Sequence, residues 1–185
     1  KTTFASFNAS GYIRQGKKVT YWANEEPAVR IKLRIIQSYF NQTKEEIADN
    51  LENYKEEYLT NIKPYLTVFD SVGTHIDEIN EYARIYRPDV MFIDQLDKVH
   101  ISGTYNRTDE KLKEVYVRAR EISKRHECLL WAVSQASYEA EGKSMIDYSM
   151  LDNSRTGKAG EADLIVGIGR GADNNDLSDP YRCIT

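Results

Sequence analysis

Apolar and polar positions along the chain alternate between two patterns, helical spacing and short apolar runs, which predict helices and strands in turn. After Thr2-Thr3, Phe4, Phe7, Gly11 and Tyr12 recur at helical spacing, and Gly16 stands where a helix-ending glycine is expected. KKVTYWA (17–23) is rich in β-branched and aromatic residues and reads as a strand. Pro27 suits the first turn of a second helix, with Val29, Leu33, Ile36 and Phe40 as its apolar face. Thr43, three residues before Glu46, makes a capping box that opens an acidic helix on a surface insertion.

The alternation continues to the end of the chain. PYLTVFD (64–70) is a strand and THIDEINEYARIYRP (74–88) a core-type helix. DVMFID (89–94) is the nearly continuous apolar run of a parallel strand buried on both faces. Thr108 to His126 predicts a helix with acids in its first turn and Lys124 and Arg125 in its last. Its apolar face is Leu112, Val115, Tyr116, Ala119 and Ile122. CLLWAVSQ (128–135) and ADLIVGIG (162–169) are two further buried strands, and YRCIT (181–185) begins another. Strands alternating with helices imply an α/β domain whose mostly parallel sheet carries helices on both faces.

Composition narrows the class. With 185 residues, the chain is expected to form one domain with a single well-buried core. It is 41% hydrophobic and 29% charged, and no apolar run is long enough to span a bilayer, so no membrane partner is expected. A net charge of −4 excludes a polycation that coats nucleic acid, so any such contact must be local. The acid concentrates in EEIADNLENYKEEY (45–58), while VRAREISKRH (117–126) and SRTGKAG (154–160) lean basic. Cys128 and Cys183 lie far apart in apolar surroundings and read as reduced, buried residues of a cytoplasmic protein. The three histidines have no metal-ligand spacing with them, and no G-x-S-x-G elbow of an α/β-hydrolase is present.

In a parallel sheet of this kind, ligands bind beyond the carboxyl ends of the strands. VTYWA runs into Asn24-Glu25-Glu26, VMFID ends at Asp94 with Gln95 and Asp97 beyond it, and LLWAVSQ ends in Ser134-Gln135. Lys1-Thr2 opens the first helix, as the last two residues of a G-x-x-x-x-G-K-[ST] loop would, with its glycines upstream. These pieces fit a nucleoside triphosphate. Phosphates need helix-N-terminal amides and a lysine, and Mg²⁺ needs the next hydroxyl and a strand-end carboxylate. Hydrolysis needs a carboxylate to polarise water and a polar group to sense the γ-phosphate. Lys1, Thr2, Asp94, Glu25 and Gln135 fill those roles in that order. Each also has a plainer reading, as a loop cap, a helix-start acid or a surface glutamine.

The combination resembles the RecA-like P-loop NTPase core of the DnaB-like replicative hexameric DNA helicases, especially their phage members, over nearly all of residues 1–185. WANEEPAVRIKLR is similar to the family's strand, catalytic Glu and helix, which assigns Glu25. VMFIDQLD resembles its Walker B strand, with Asp94 beside the metal, and LLWAVSQAS the strand ending in the sensor glutamine, Gln135. MLDNSRTGKAGEADLIVGIGR resembles the segment that leads through Ala-Asp into the next core strand. The resemblance implies ATP and Mg²⁺ as cofactors, a hexameric ring moving along single-stranded DNA, and a primase or other replisome protein as partner. It implies the cytoplasm of a bacterial cell or a phage-infected host. The phosphate-loop glycines are expected before Lys1 and a C-terminal basic finger after residue 185, with Arg170 as a candidate nucleotide contact.

DNA would meet loops that follow strand ends, 100–107 and 136–160. The resemblance assigns backbone-gripping roles to Ser154, Arg155, Gly157 and Lys158, with Lys143 and Arg107 as further contacts. Two rival readings stand beside the helicase motor: a RecA/RadA-type recombination or loading ATPase that does not unwind DNA, and a non-catalytic scaffold of the same fold.

Overall fold

The computed structural model of the protein describes residues 1–152, 155–170 and 182–185, and of Arg155, Thr156 and Arg170 only the backbone. Ser154 lies outside the described residues. In chain order the elements begin α1 (Thr2–Arg14), β1 (Val19–Ala23), α2 (Ala28–Phe40), α3 (Lys44–Asp49) and α4 (Leu51–Glu57). They continue with β2 (Leu66–Asp70), α5 (Ile76–Tyr86), β3 (Val90–Asp94) and α6 (Thr108–His126). The chain then forms β4 (Leu129–Val133), α7 (Arg155–Ala159), β5 (Ile168–Arg170) and β6 (Arg182–Ile184).

β1 to β4 form one parallel sheet in the order β2-β1-β3-β4. The chain leaves β1 toward one edge to make β2, then crosses to the other side to make β3 and β4. The strand order therefore reverses between β1 and β3, where a crevice opens at the carboxyl ends. Register aligns those ends: Ala23 pairs with Asp70 on one side and Asp94 on the other, and Asp94 pairs with Val133.

Strand parity divides the core in two. Val19, Tyr21 and Ala23, with Val90 and Phe92, pack against Ala5, Ala9 and Ile13 of α1 and Ile31 and Ile35 of α2. Trp22, Met91 and Ile93 face the other way, against Ile76, Ile79 and Ala83 of α5 and Val115, Ala119 and Ile122 of α6. Asp94, two residues after Phe92, falls on the α1 face and so meets the start of that helix. A register slip of one residue would send it to the α5–α6 side.

The α/β class, α6 with its five buried residues and the Thr43–Glu46 capping box are as the sequence predicts. Gly16 sits in left-handed geometry just past α1, where Lys17 N–H closes back on Tyr12 O. Five expectations are corrected. α1 buries Ala5, Ala9 and Ile13 with Ser6 and Ser10, while Phe7 is exposed, because small residues let the helix lie close to the sheet and to α2. α2 buries Ile31 and Ile35 while Val29 is exposed; its apolar residues allow two adjacent stripes, and the packing against α1 selects one. β4 is a half-exposed edge, with Leu129 50% exposed, and only Ile168–Arg170 of the ADLIVGIG run forms a strand. That strand pairs antiparallel with β6, apart from the main sheet. Cys128 is buried and Cys183 only partly so; both are free thiols.

Among the described residues, no helix is long and apolar enough to cross a membrane.

Candidate active site

The crevice between β1 and β3 gathers four of the residues singled out in the sequence. Lys1 is the N-cap of α1 and Thr2 its first residue. Thr2 Oγ1 donates to Asp94 Oδ2 at 2.8 Å, and the Tyr21 hydroxyl donates to the same oxygen at 3.0 Å. Lys1 Nζ lies 2.7 Å from Glu25 Oε2. Gln95, joined to Asp94 by a cis peptide, donates from Nε2 to that same Glu25 oxygen at 2.9 Å. Asn24 braces the arrangement from below. Its Nδ2 donates to Gln95 O at 3.1 Å, and its Oδ1 accepts from Ser71 Oγ at 2.8 Å.

The two carboxylates differ in solvation. Asp94 is 1% exposed, and its Oδ1 is buried without a hydrogen-bond partner. A buried carboxylate oxygen without a partner is costly unless something cationic or a donor meets it. Together with the Thr2 hydroxyl, it is the donor set that Mg²⁺ takes beside a phosphate, hard oxygens with room left for phosphate and water. Burial, followed by the Asp94 charge, raises the Tyr21 phenol above its ordinary value, so it remains a donor. Glu25 is exposed. The Lys1 ammonium hydrogen-bonded to it holds its carboxyl below the usual glutamate value, against a partial burial that pushes upward; Gln95 adds a smaller contribution. The neighbouring Glu26 turns away to Arg34 Nη1 at 2.6 Å, so the two adjacent acids have different partners.

The remaining candidates lie apart from this cluster. Gln135 is exposed, two residues beyond the Val133 that stands level with Asp94. It lines a cavity of about 980 Å³ that also reaches Lys1 and Phe4. Its carbonyl accepts from Asp152 N–H at 3.3 Å, and Ser137 N–H donates to Met150 O at 2.7 Å. The stretch from 136 to 151 therefore leaves the sheet end and returns to it. Lys143 is exposed on that stretch and lines the same cavity. Arg107 forms a two-point pair with Asp109 at the start of α6. Gly157 and the Arg155 backbone lie in α7, and the Arg170 backbone ends β5.

Lys158 departs from its expected role. A DNA contact needs an ammonium facing solvent, but Lys158 is 2% exposed, with Nζ 2.8 Å from Asp97 Oδ2 and 3.0 Å from Ser134 Oγ. Its ammonium is satisfied within the protein by Asp97 and Ser134.

Sequence reasoning did not assign roles to Tyr21, Asn24, Ser71 or Gln95. The signal for Tyr21 was its parity with Asp94 once β1 and β3 are paired, a relation that needs the register. Elsewhere, Ser102 Oγ, His75 and Asp77 lie in the order of a hydrolase triad, with 3.0 Å from His75 Nε2 to Ser102 Oγ. His75 Nδ1 accepts the Asp77 N–H, so the ring proton is on Nε2 and points toward Ser102. That tautomer cannot act as the base, and the histidine is the cap of α5.

The chain shares the RecA-like fold of the ATPase domains of DnaB-like helicases. Two solved structures illustrate it. One, described as an ATPase domain, superposes with a TM-score of 0.79 at 17% identity, over 97% of this chain and 68% of that one. A DnaB-like replicative helicase, described with its interactions with primase, gives 0.76 at 16% identity, over 91% of this chain and 44% of that one. At such identities the likeness is one of fold. No protein-family model matches the chain, and no curated protein matches it in sequence.

Proposed function

We propose that the protein is the ATP-hydrolysing motor of a DnaB-like replicative helicase, acting as a hexameric ring on single-stranded DNA. The observation that carries this reading is the convergence of Lys1, Thr2, Glu25 and Asp94 at the point where strand order reverses. Thr2 and Asp94 would hold Mg²⁺, which would supply positive charge beside the phosphates. Lys1, at the N-terminus of α1, would bind the β- and γ-phosphates with the first amides of that helix. Glu25 orients and polarises the attacking water. Phosphates compete with Glu25 for the Lys1 ammonium, and a Glu25 relieved of its cation is the stronger base.

Gln135 stands at the end of the neighbouring strand, where it senses the γ-phosphate and passes its state to the stretch that follows. Lys143, Arg107 and the backbone around Arg155 and Gly157 are the DNA contacts in this reading, and Arg170 is a nucleotide contact. Primase or another replisome protein is its further partner.

The test is steady-state ATP hydrolysis by the full-length protein, with and without single-stranded DNA, beside a Glu25→Gln variant. Hydrolysis stimulated by DNA and abolished in the variant is expected. Hydrolysis indifferent to both leaves a RecA-like fold without a motor. A strand-displacement assay separates a helicase from a loading or recombination ATPase, which would hydrolyse ATP on DNA and leave duplexes intact.

A further inference from the structure

Lys158, Asp97, Ser134 and Tyr116 form a polar node, Lys158 and Tyr116 buried and Asp97 and Ser134 partly so, that the nucleotide chemistry does not use. Asp97 sits in the turn three residues after Asp94, and Ser134 immediately precedes Gln135. Asp97 Oδ2 accepts from Ser134 Oγ at 2.8 Å and from Lys158 Nζ at 2.8 Å, while Oδ1 accepts from the Tyr116 hydroxyl at 2.8 Å. The Lys158 ammonium also stands over the Tyr116 ring, 5.6 Å from its centroid. Burial, followed by the Asp97 charge, holds the Tyr116 phenol well above its ordinary value, so it stays a donor to the carboxylate. Just beyond α7, Arg120 of α6 donates to Glu161 O at 2.5 Å and Asp163 Oδ1 at 2.8 Å. The chain from Lys158 to Asp163 is thus fastened to α6, to the turn after β3 and to the end of β4.

The connectivity gives this node a consequence. The stretch that begins at Gln135 is tied back at its far end, through Lys158, to Ser134, the residue beside Gln135. The same ammonium reaches Asp97, three residues from the metal-side carboxylate. A backbone shift at Gln135 would reach its neighbour Ser134 and, through it, the hydrogen bonds that Ser134 makes with Asp97 and Lys158. A buried ion pair adds little net stability over an apolar substitute of similar shape, yet breaking one partner is costly. Such a pair holds a geometry more than it stabilises the fold.

We propose that Lys158 is a positioning residue, whose ion pair with Asp97 transmits the state of the nucleotide site to α7 and the stretch between Gln135 and Gly160. The proposal rests on the motor reading above. It replaces a DNA-contacting Lys158 with one that never touches DNA and sets where the contacting loop lies.

The test uses the full-length protein and three forms: wild type, Lys158→Met, and Lys158→Met combined with Asp97→Asn. The single change strands the Asp97 charge and is expected to lower Tm. The double change removes both charges, leaves an amide whose oxygen accepts from one of the Tyr116 and Ser134 hydroxyls and whose NH2 donates to the other, and is expected to restore Tm. Amide hydrogen exchange across 155–163 is followed with and without Mg²⁺ and a non-hydrolysable ATP analogue, together with ATP hydrolysis with and without single-stranded DNA. Wild type should show nucleotide-dependent protection in that segment. The double variant should lose it, with a roughly tenfold fall in DNA stimulation, the size of an ordinary coupling between sites, and unchanged hydrolysis without DNA.

A double variant with restored Tm and undiminished stimulation would reduce the pair to a structural role and overturn the proposal. If the double variant does not fold, the wild-type exchange decides: no nucleotide-dependent change across 155–163 overturns the proposal. Wild-type hydrolysis that ignores DNA and survives Glu25→Gln would overturn the motor reading itself, a result distinct from either.

Discussion

The two walls of the crevice are built differently. On the β1–β3 side five side chains are pinned to one another or to Asp94 and Glu25: Thr2 and Tyr21 on Asp94, Lys1 and Gln95 on Glu25, and Asn24 under Gln95, while Asp94 Oδ1 stays without a partner. The strands beneath are buried along their whole length. On the β4 side the strand is a half-exposed edge, Gln135 projects to solvent, and the chain wanders through single turns before α7 fastens it again. In the motor reading proposed above, the difference is one of task. Groups that hold metal and water gain from being fixed beforehand, since electrostatic preorganisation avoids reorganisation during the reaction. A group that reports on phosphate must be able to move, and movable segments come from the least buried part of a fold.

Substitutions on the two walls should therefore behave differently, and the largest contrast is in hydrolysis. Asp94→Asn should lower ATP turnover by about a hundredfold or more whether or not DNA is present, as loss of a preorganised charge does. Gln135→Ala should lower DNA-free turnover far less than Asp94→Asn does and reduce DNA stimulation by a further factor of roughly ten. Equal losses in both conditions for both variants, read from steady-state rates, would mean that the walls are not functionally distinct.

Stability should follow the same division. Phe92 is fully buried between Tyr21 and Trp131 rings, so Phe92→Ala is expected to cost about 3–5 kcal/mol in denaturant unfolding. Leu129→Ala, at the edge, should cost about 1 kcal/mol, since half of that side chain already meets water. A Leu129 loss as large as that of Phe92 would indicate that β4 is covered in solution by another segment or subunit.

The smallest effect is a titration. The Glu25 carboxyl should titrate below its ordinary value of 4.5 in a ¹³C NMR experiment without nucleotide, and Lys1→Met should return it toward that value. The sign follows from the cation, which favours the charged carboxylate. A lowered folded-state value stabilises the fold above the unfolded-state value, and that contribution is lost as pH falls through the folded-state value. A Glu25 titration unmoved by Lys1→Met would detach Lys1 from Glu25.

Much of this arrangement can be read from the chain. The alternation of periods predicts the α/β class, and strand-end polar residues mark Glu25, Asp94 and Gln135, because local pattern dictates both where a strand stops and what stands at its end. The helix Thr108–His126 and the cap at Thr43 are fixed by short-range chemistry and match the structure. Which face of α1 or α2 is buried was not legible, since several stripes of similar apolarity are available and only the close fit of Ala5, Ala9 and Ile13 to the sheet chooses among them.

The site's finer structure belongs to tertiary contacts alone. Tyr21 reaches Asp94 because β1 and β3 pair in one register, across 73 residues of sequence. Glu25 and Glu26 are indistinguishable as neighbours, and Lys1 and Arg34 tell them apart. A lysine in a Gly-Lys loop carries no sign that it will be buried; the carboxylate of Asp97, 61 positions away, makes that burial tolerable. The sequence by itself determined the elements and the chemical types at their ends, because these depend on neighbours a few residues apart. Only the tertiary structure decided which of those groups meet, because pairing and desolvation depend on residues that register and packing bring together.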